Sequence, residues 1–215
     1  MKKHIVILDP FPRTLKLIFS KDKFKKLKLS YKLIYAPKIH KKNFYEKNIQ
    51  KASFIIGQPD LPKEILIKAK NLKAIINVES NFMNNMDYQY CFKKGIYVIA
   101  TSPVFSKPVA EIALGMTLSL LRNIHNAHLD FIKGKEKYGL ESNLKASLLS
   151  GKKIGLIGFG DLAKSLYPLL LPFSKDINVY DPWIPKLNIQ KLGFKSISLN
   201  KIFKNCDVIY VLATV

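Results

Sequence analysis

The sequence predicts an α/β protein of two domains, each built on a parallel sheet, and three observations carry that prediction. Residues Lys152 to Pro182 run in the order strand, glycine turn, helix, strand, acid: Ile154-Gly155-Leu156-Ile157, then Gly158-Phe159-Gly160-Asp161-Leu162-Ala163, a helical stretch, and Ile177-Asn178-Val179-Tyr180 ending at Asp181. In the first hundred residues, short apolar runs alternate with amphipathic ones, as strands joined by helical crossovers do. Val208 to Ala213 is a continuous apolar run, the mark of a strand buried on both faces of a parallel sheet.

Taken in order, the strands of the first domain are expected at His4 to Leu8, Tyr31 to Tyr35, Ser53 to Gly57, Leu72 to Asn77 and Ile96 to Ile99. Helical patterns fall between them at Pro12 to Phe19, Lys41 to Asn48, Pro62 to Ala69 with Asp60 as its cap, and Met83 to Lys93 ahead of Gly95. The densest charge, Lys21 to Lys28, reads as a surface helix end or loop. Thr101-Ser102-Pro103 breaks the alternation, so the first domain is residues 1–102 and the second 103–215. Residues 103–133 read as a long helix between the domains, running from about Ser106 to about Lys133. Val109, Ile112, Ala113, Met116, Leu120 and Leu121 cover more than one stripe of it, so it should be buried from several sides. Gly134 to Asn143 reads as a loop and Leu144 to Leu149 as a hairpin or turn. The second domain then continues with a strand at 153–157 and a helix at 160–174 that holds Pro168 and Pro172 and should kink at Pro168. A strand at 177–181, a short strand near Phe194 to Ser196, a helix from Leu199 to Asn205 and a strand from Asp207 to Ala213 complete it.

Composition narrows the function classes. Of 215 residues, 48% are hydrophobic, enough for a core. The formal net charge is +21, but of 36 basic residues only Arg13 and Arg122 are arginine. Base readout and bidentate phosphate recognition favour Arg, and these lysines are scattered from Lys2 to Lys204. A solvated lysine surface is the reading, with no nucleic acid as partner. Cys91 and Cys206 stand far apart, which supports neither a disulfide framework nor a metal site and fits a reducing cytoplasm. Met1-Lys2-Lys3 leads straight into a strand-like segment, unlike a secretory signal. The longest apolar stretch, Val109 to Leu121, is interrupted by Glu111 and shorter than a membrane span. No membrane association is expected.

The glycine turn carries the chemistry. Glycines let the backbone turn tightly and approach a pyrophosphate, and the start of the following helix offers free N–H groups. Gly158, Gly160, Asp161 and Leu162 are therefore assigned to a dinucleotide. Asp181 lies 23 residues beyond Gly158 at a strand's C-terminal end, where open α/β sheets bind ligands. Its carboxylate accepts hydrogen bonds from the adenosine ribose and repels a 2′-phosphate, so the expected cofactor is NAD. Ala213 and Thr214, at the end of the last strand, are assigned to the same site.

At this point the chain resembles the D-isomer-specific 2-hydroxyacid dehydrogenases. The resemblance rests on Leu72 to Ile76 running to Asn85-Met86-Asp87, Gly95-Ile96, Ser102-Pro103, Val109-Ala110-Glu111, Gly151-Lys152-Lys153 before the glycine turn, Asp181-Pro182, and Cys206-Asp207-Val208-Ile209. It covers nearly the whole chain. It implies a flavodoxin-like substrate domain, an incomplete Rossmann-type NAD-binding domain, a homodimer, and hydride transfer between NAD(H) and a small-molecule 2-hydroxy or 2-oxo acid.

Two departures accompany it. Where the family has a Gly-x-Gly substrate loop, this chain has Ser80-Asn81-Phe82, which take the substrate-binding assignment without its glycines. Phe82, Met83 and Phe105 read as core packing. The family's catalytic Arg, Glu and His follow the strand that here ends the sequence, and His4, His40, His125 and His128 all read as structural or solvated. No residue is assigned a catalytic role, and the 215-residue chain, read as C-terminally truncated, is expected to be inactive on its own. The alternative reading is a non-enzymatic NAD(H)-binding sensor or interaction protein.

Overall fold

The apolar runs of the first hundred residues pair as a single parallel sheet. In the computed structural model, which describes residues 3–39, 41–80 and 82–213, its strands are β1 (Ile5–Asp9), β2 (Lys32–Tyr35), β3 (Phe54–Gly57), β4 (Ala74–Ile76) and β5 (Tyr97–Ile99). They lie in the order β2-β1-β3-β4-β5, every neighbour parallel. Parallel neighbours need crossovers, supplied by α1 (Leu15–Ile18), α2 (Lys21–Ser30), α3 (Lys41–Asn48), α4 (Lys63–Leu66) and α5 (Tyr88–Lys93). This is the flavodoxin-like order, in which connections leave β1 and β3 in opposite directions and open a crevice at their C-terminal ends. Ile7, Ile55 and Ile75, one from each of three adjacent strands, are fully buried with Tyr45, Ile49 and Leu61 in the core.

Local corrections have local causes. Lys21 to Ser30 is a complete ten-residue helix, not a loop, and the Ser20 hydroxyl caps it by accepting from Lys23 N. Its lysine density had masked that cap. Asp60 caps nothing, since α4 starts after Pro62. The expected helix from Met83 begins only at Tyr88, because the Asp87 carboxylate accepts from Tyr90 N at 2.8 Å and acts as its N-cap. At the end of β1 the buried Asp9 takes Lys41 Nζ at 2.6 Å and the Tyr45 hydroxyl at 3.1 Å. Burial first, then the Asp9 carboxylate, push the Tyr45 phenol well above its ordinary range.

The chain divides into two compact units, Met1–Ser102 and Pro103–Val215. The second holds a sheet of β6 (Ile154–Ile157), β7 (Ile177–Tyr180), β8 (Lys195–Ser196) and β9 (Val208–Val211) in the order β8-β7-β6-β9, again all parallel. Renumbered from one, that is 3-2-1-4, the first four positions of the dinucleotide-binding order, with its reversal between β6 and β9. Its helices are α6 (Ser102–Leu121), α7 (Ile124–Ile132), α8 (Gly139–Asn143), α9 (Asp161–Leu170), α10 (Lys186–Lys191) and α11 (Leu199–Asn205). Leu156, Phe159, Leu166, Leu170 and Val179 are fully buried at its centre.

The long helix expected over 103–133 is two helices. Asn123 breaks it with a φ of 54°, a left-handed conformation that Asn tolerates better than most residues. Nor is it buried from several sides. Ser106, Ala110 and Thr117 are buried, whereas Ile112 (61%), Met116 (61%) and Leu120 (77%) stand exposed. By length and composition α6 is apolar enough to cross a membrane, although Lys107, Pro108 and Glu111 lie within it and Ala110 packs in the second core. Residues 139–143 form α8 where a loop was expected, α10 was not foreseen, and α9 ends at Leu170, so Pro168 lies inside it but Pro172 beyond.

Candidate functional site

The site forms where β6 and β9 diverge. β6 is buried along its whole length, and its Gly155 lets α11 lie close, because a Cβ there would meet Ile202 Cγ2 at 2.7 Å and Cys206 Sγ at 3.1 Å. The chain turns at Gly158, whose φ of 95° suits glycine. A Cβ at Gly158 would stand 2.7 Å from Ala213 N and 3.0 Å from Ala213 Cα. The turn leaving β6 is therefore seated directly on the chain leaving β9.

Between the two glycines, Phe159 is pinned. Its ring is fully buried and meets Phe194 edge-on at 4.5 Å, and Tyr167 meets the same Phe194 at 4.5 Å. Gly160 then caps α9 with no side-chain hydrogen bond, leaving the first-turn N–H groups without an intrahelical acceptor. Asp161 and Leu162 open that turn. Above Gly160 a Cβ would meet nothing within 4 Å. A helix start beside open space fits a pyrophosphate.

Asp181 follows β7 and is half-buried. Its Oδ2 accepts from Phe159 N at 2.7 Å, while its Oδ1 accepts from Trp183 N and Ile184 N, each at 2.8 Å. The acid thus ties the glycine turn to the end of β7 and builds its own turn over Pro182. Oδ2, with a single bond here, has an accepting lone pair left for a ribose hydroxyl. The part played by Phe159 N and Trp183 N escaped sequence reasoning, although Asp-Pro-x is an Asx-turn pattern that foretells the second.

Gly158, Phe159, Asp181 and Ala213 are thus brought together, with Gly160, Asp161 and Leu162 at the adjoining helix start. Thr214 lies outside the described residues. The residues assigned to substrate belong to the first unit, in the segment after β4. Ser80 is half-buried, Asn81 lies outside the described residues, and Phe82 is 55% exposed with its ring 5.1 Å from Tyr88. Phe82 and Met83 (52% exposed) are thus not core residues, contrary to the expectation, because the chain leaves the sheet before reaching them. In the same segment, Glu79 receives both Nε and Nη2 of Arg13, at 2.8 and 3.1 Å. His4 hydrogen-bonds Ser53 at 3.0 Å, His125 and His128 are exposed on α7, and His40 lies outside the described residues. Among the described residues, no cluster of metal-ligating side chains occurs.

A glycine turn on the reversal point of a 3-2-1-4 parallel sheet, tied to an acid at the end of the second strand, defines a Rossmann-type dinucleotide-binding domain. Residues 114–215 match the family model described as "D-isomer specific 2-hydroxyacid dehydrogenase, NAD binding domain", and the chain belongs to the D-isomer-specific 2-hydroxyacid dehydrogenases. It is 34% identical over 146 residues to a hydroxypyruvate reductase of Thermotoga maritima, covering 68% of this chain and 45% of that protein. Among solved structures it is similar to a phosphoglycerate oxidoreductase from Rhizobium etli, with a TM-score of 0.80 and 40% identity over 99% of this chain and 66% of that one. It is also similar to an NAD-dependent formate dehydrogenase from Staphylococcus aureus solved with NAD, with a TM-score of 0.63 and 26% identity over 98% of this chain and 65% of that one. The chain spans about half the length of the curated relatives it matches, 45% to 55% for the first four. The cofactor of the domain is NAD.

Proposed function

We propose that this chain supplies the NAD-binding and acid-recognising parts of a dehydrogenase that moves a hydride between NAD(H) and C2 of a small 2-hydroxy or 2-oxo acid. The observation that carries the reading is the Phe159 N to Asp181 Oδ2 bond at 2.7 Å, set at the strand reversal. NAD supplies the hydride acceptor. Around it, Gly158 and Gly160 admit the pyrophosphate, Asp161 and Leu162 offer it backbone N–H groups, Ala213 lines the far side, and Asp181 accepts from the ribose; Thr214, outside the described residues, is proposed for the same site. A 2′-phosphate would meet the Asp181 carboxylate, so NADH should bind at least tenfold tighter than NADPH. Fluorescence titration of the 215-residue chain with each nucleotide tests this, and equal affinities would sink it. Ser80, Asn81 and Phe82 are proposed for the acid substrate. Because no described histidine is paired with a carboxylate, the same sample should oxidise no NADH with glyoxylate or pyruvate.

A second copy of the chain is the proposed cover for α6. Ile112, Met116 and Leu120 expose an apolar face on a 20-residue helix, of the kind that marks an association surface. Sedimentation should give a dimer, and Met116→Glu with Leu120→Glu a monomer. A wild-type monomer at tens of micromolar would refute the assignment.

A further inference from the structure

We propose that Arg13 is the residue of the first unit that grips the carboxylate of an acid ligand, and that Glu79 occupies its fork until that ligand arrives. Arg13 sits on the loop leaving β1 and Glu79 on the segment leaving β4, the two strands that flank β3 in the sheet. The pair therefore spans the C-terminal edge at the reversal between β1 and β3, where sheets of this kind take their ligands. Its geometry is that of a guanidinium on a carboxylate, two N–H groups on two oxygens at 2.8 and 3.1 Å.

Composition makes the arginine informative. Lysine supplies 34 of the 36 basic residues, so a simple need for positive charge is met by lysine almost everywhere. An arginine at this edge answers a need for the planar, two-pronged donor that lysine lacks. The side chains of Arg13 and Glu79 are 39% and 23% exposed, so a solute carboxylate can reach the fork, and an ion pair this open is a weak stabiliser that is readily exchanged. An acid ligand arriving at this edge would be repelled by a bare Glu79. Arg13 offers the incoming carboxylate the two donors it now gives Glu79, and the repulsion from the Glu79 so released is why Glu79→Gln should bind more tightly.

A second observation points to a ligand at the same edge. Asn77, two residues before Glu79, is fully buried, yet both its Oδ1 and its Nδ2 have no partner. Thr101 Oγ1, at the end of the neighbouring β5, is likewise buried without one, while Thr101 N donates to Glu79 O. Buried polar atoms are rarely left unpaired, so three at the ends of two adjacent strands mark a place for a small polar molecule.

The identity of that molecule as a carboxylic acid rests on the dehydrogenase reading above, and the test separates the two. Calorimetric titration of the full chain with oxalate should show Glu79→Gln binding at least tenfold tighter than wild type and Arg13→Gln showing no saturable binding. Arg13→Lys keeps the charge but loses the fork, and should bind at least fivefold more weakly with an unchanged unfolding temperature. Oxalate affinity that is flat across the series, or absent throughout, overturns the proposal. So does weaker binding in Glu79→Gln. NADH titrations run on the same samples report on the dehydrogenase reading independently, since normal NADH binding with a flat oxalate series overturns only the role of Arg13. Lost NADH binding with the expected oxalate series overturns only the cofactor reading.

Discussion

Gly158→Ala should abolish measurable NADH binding and destabilise the second unit by about 3 kcal/mol, the sum of a strained backbone and an overpacked contact. The φ of 95° at Gly158 is poorly tolerated by any residue with a Cβ. The new methyl would also stand 2.7 Å from Ala213 N and 3.0 Å from Leu212 C. Those are backbone atoms, so no side-chain rotation relieves the clash. Relief requires the end of β9 to move away from β6, which stretches the Leu212 N to Ile157 O bond of 2.7 Å. Gly160→Ala is the informative contrast, because a Cβ there meets nothing within 4 Å. That variant should unfold in urea like wild type while losing tenfold or more in NADH affinity. Wild-type NADH affinity in Gly160→Ala would show that the open space above α9 is not where the pyrophosphate lies.

Asp181→Ala is the second large effect expected. The carboxylate accepts three backbone N–H groups, and deleting it strands the N–H of the fully buried Phe159. Orphaning one buried donor and losing charge-assisted bonds costs about 2 to 3 kcal/mol. Affinity for NADH should fall more than tenfold, and the preference over NADPH should shrink, since the group that repels a 2′-phosphate is gone. Chemical unfolding together with paired NADH and NADPH titrations reads both consequences. Full stability in the variant would contradict the structural half of this argument, and an unchanged NADH preference the other half.

The parts of this fold that were legible in sequence are those where one physical signal dominates. Ile154 to Ile157 is apolar without interruption because both faces of a central parallel strand are covered, and it is buried throughout. Val208 to Val211 is a strand where its apolar run put one, but it lies at the edge of the described sheet with only Tyr210 buried, so the expected burial on both faces is not found there. The glycine turn was legible because few residues other than glycine adopt its backbone. What escaped depended on contacts between distant segments. The break at Asn123 is invisible to periodicity, as the apolar pattern continues on both sides of it. The exposure of Ile112, Met116 and Leu120 could not be read from a helix apolar nearly all round, since hydrophobicity records a need for cover and not where the cover comes from. In the site, Asp181 was found by its spacing from Gly158, but its bond to Phe159 N depends on how close the ends of β6 and β7 lie. Ser80 to Phe82 were placed by resemblance alone, and the Arg13–Glu79 pair, joining positions 66 residues apart, had no local signature.

The three amide bonds to Asp181 also govern the thermodynamics of filling the site. A glycine-rich loop that moved freely in the unliganded protein would have to be ordered at the moment of binding, and that lost conformational freedom would be subtracted from the affinity. Here the turn is already held by the carboxylate, by Phe159 wedged against Phe194 and by the seat on Ala213. The acid proposed to meet the ribose thus removes in advance much of the entropic penalty for binding the rest of the molecule. Cofactor association should leave the exchange protection of the Phe159 amide almost unchanged while raising that of the amides at the start of α9.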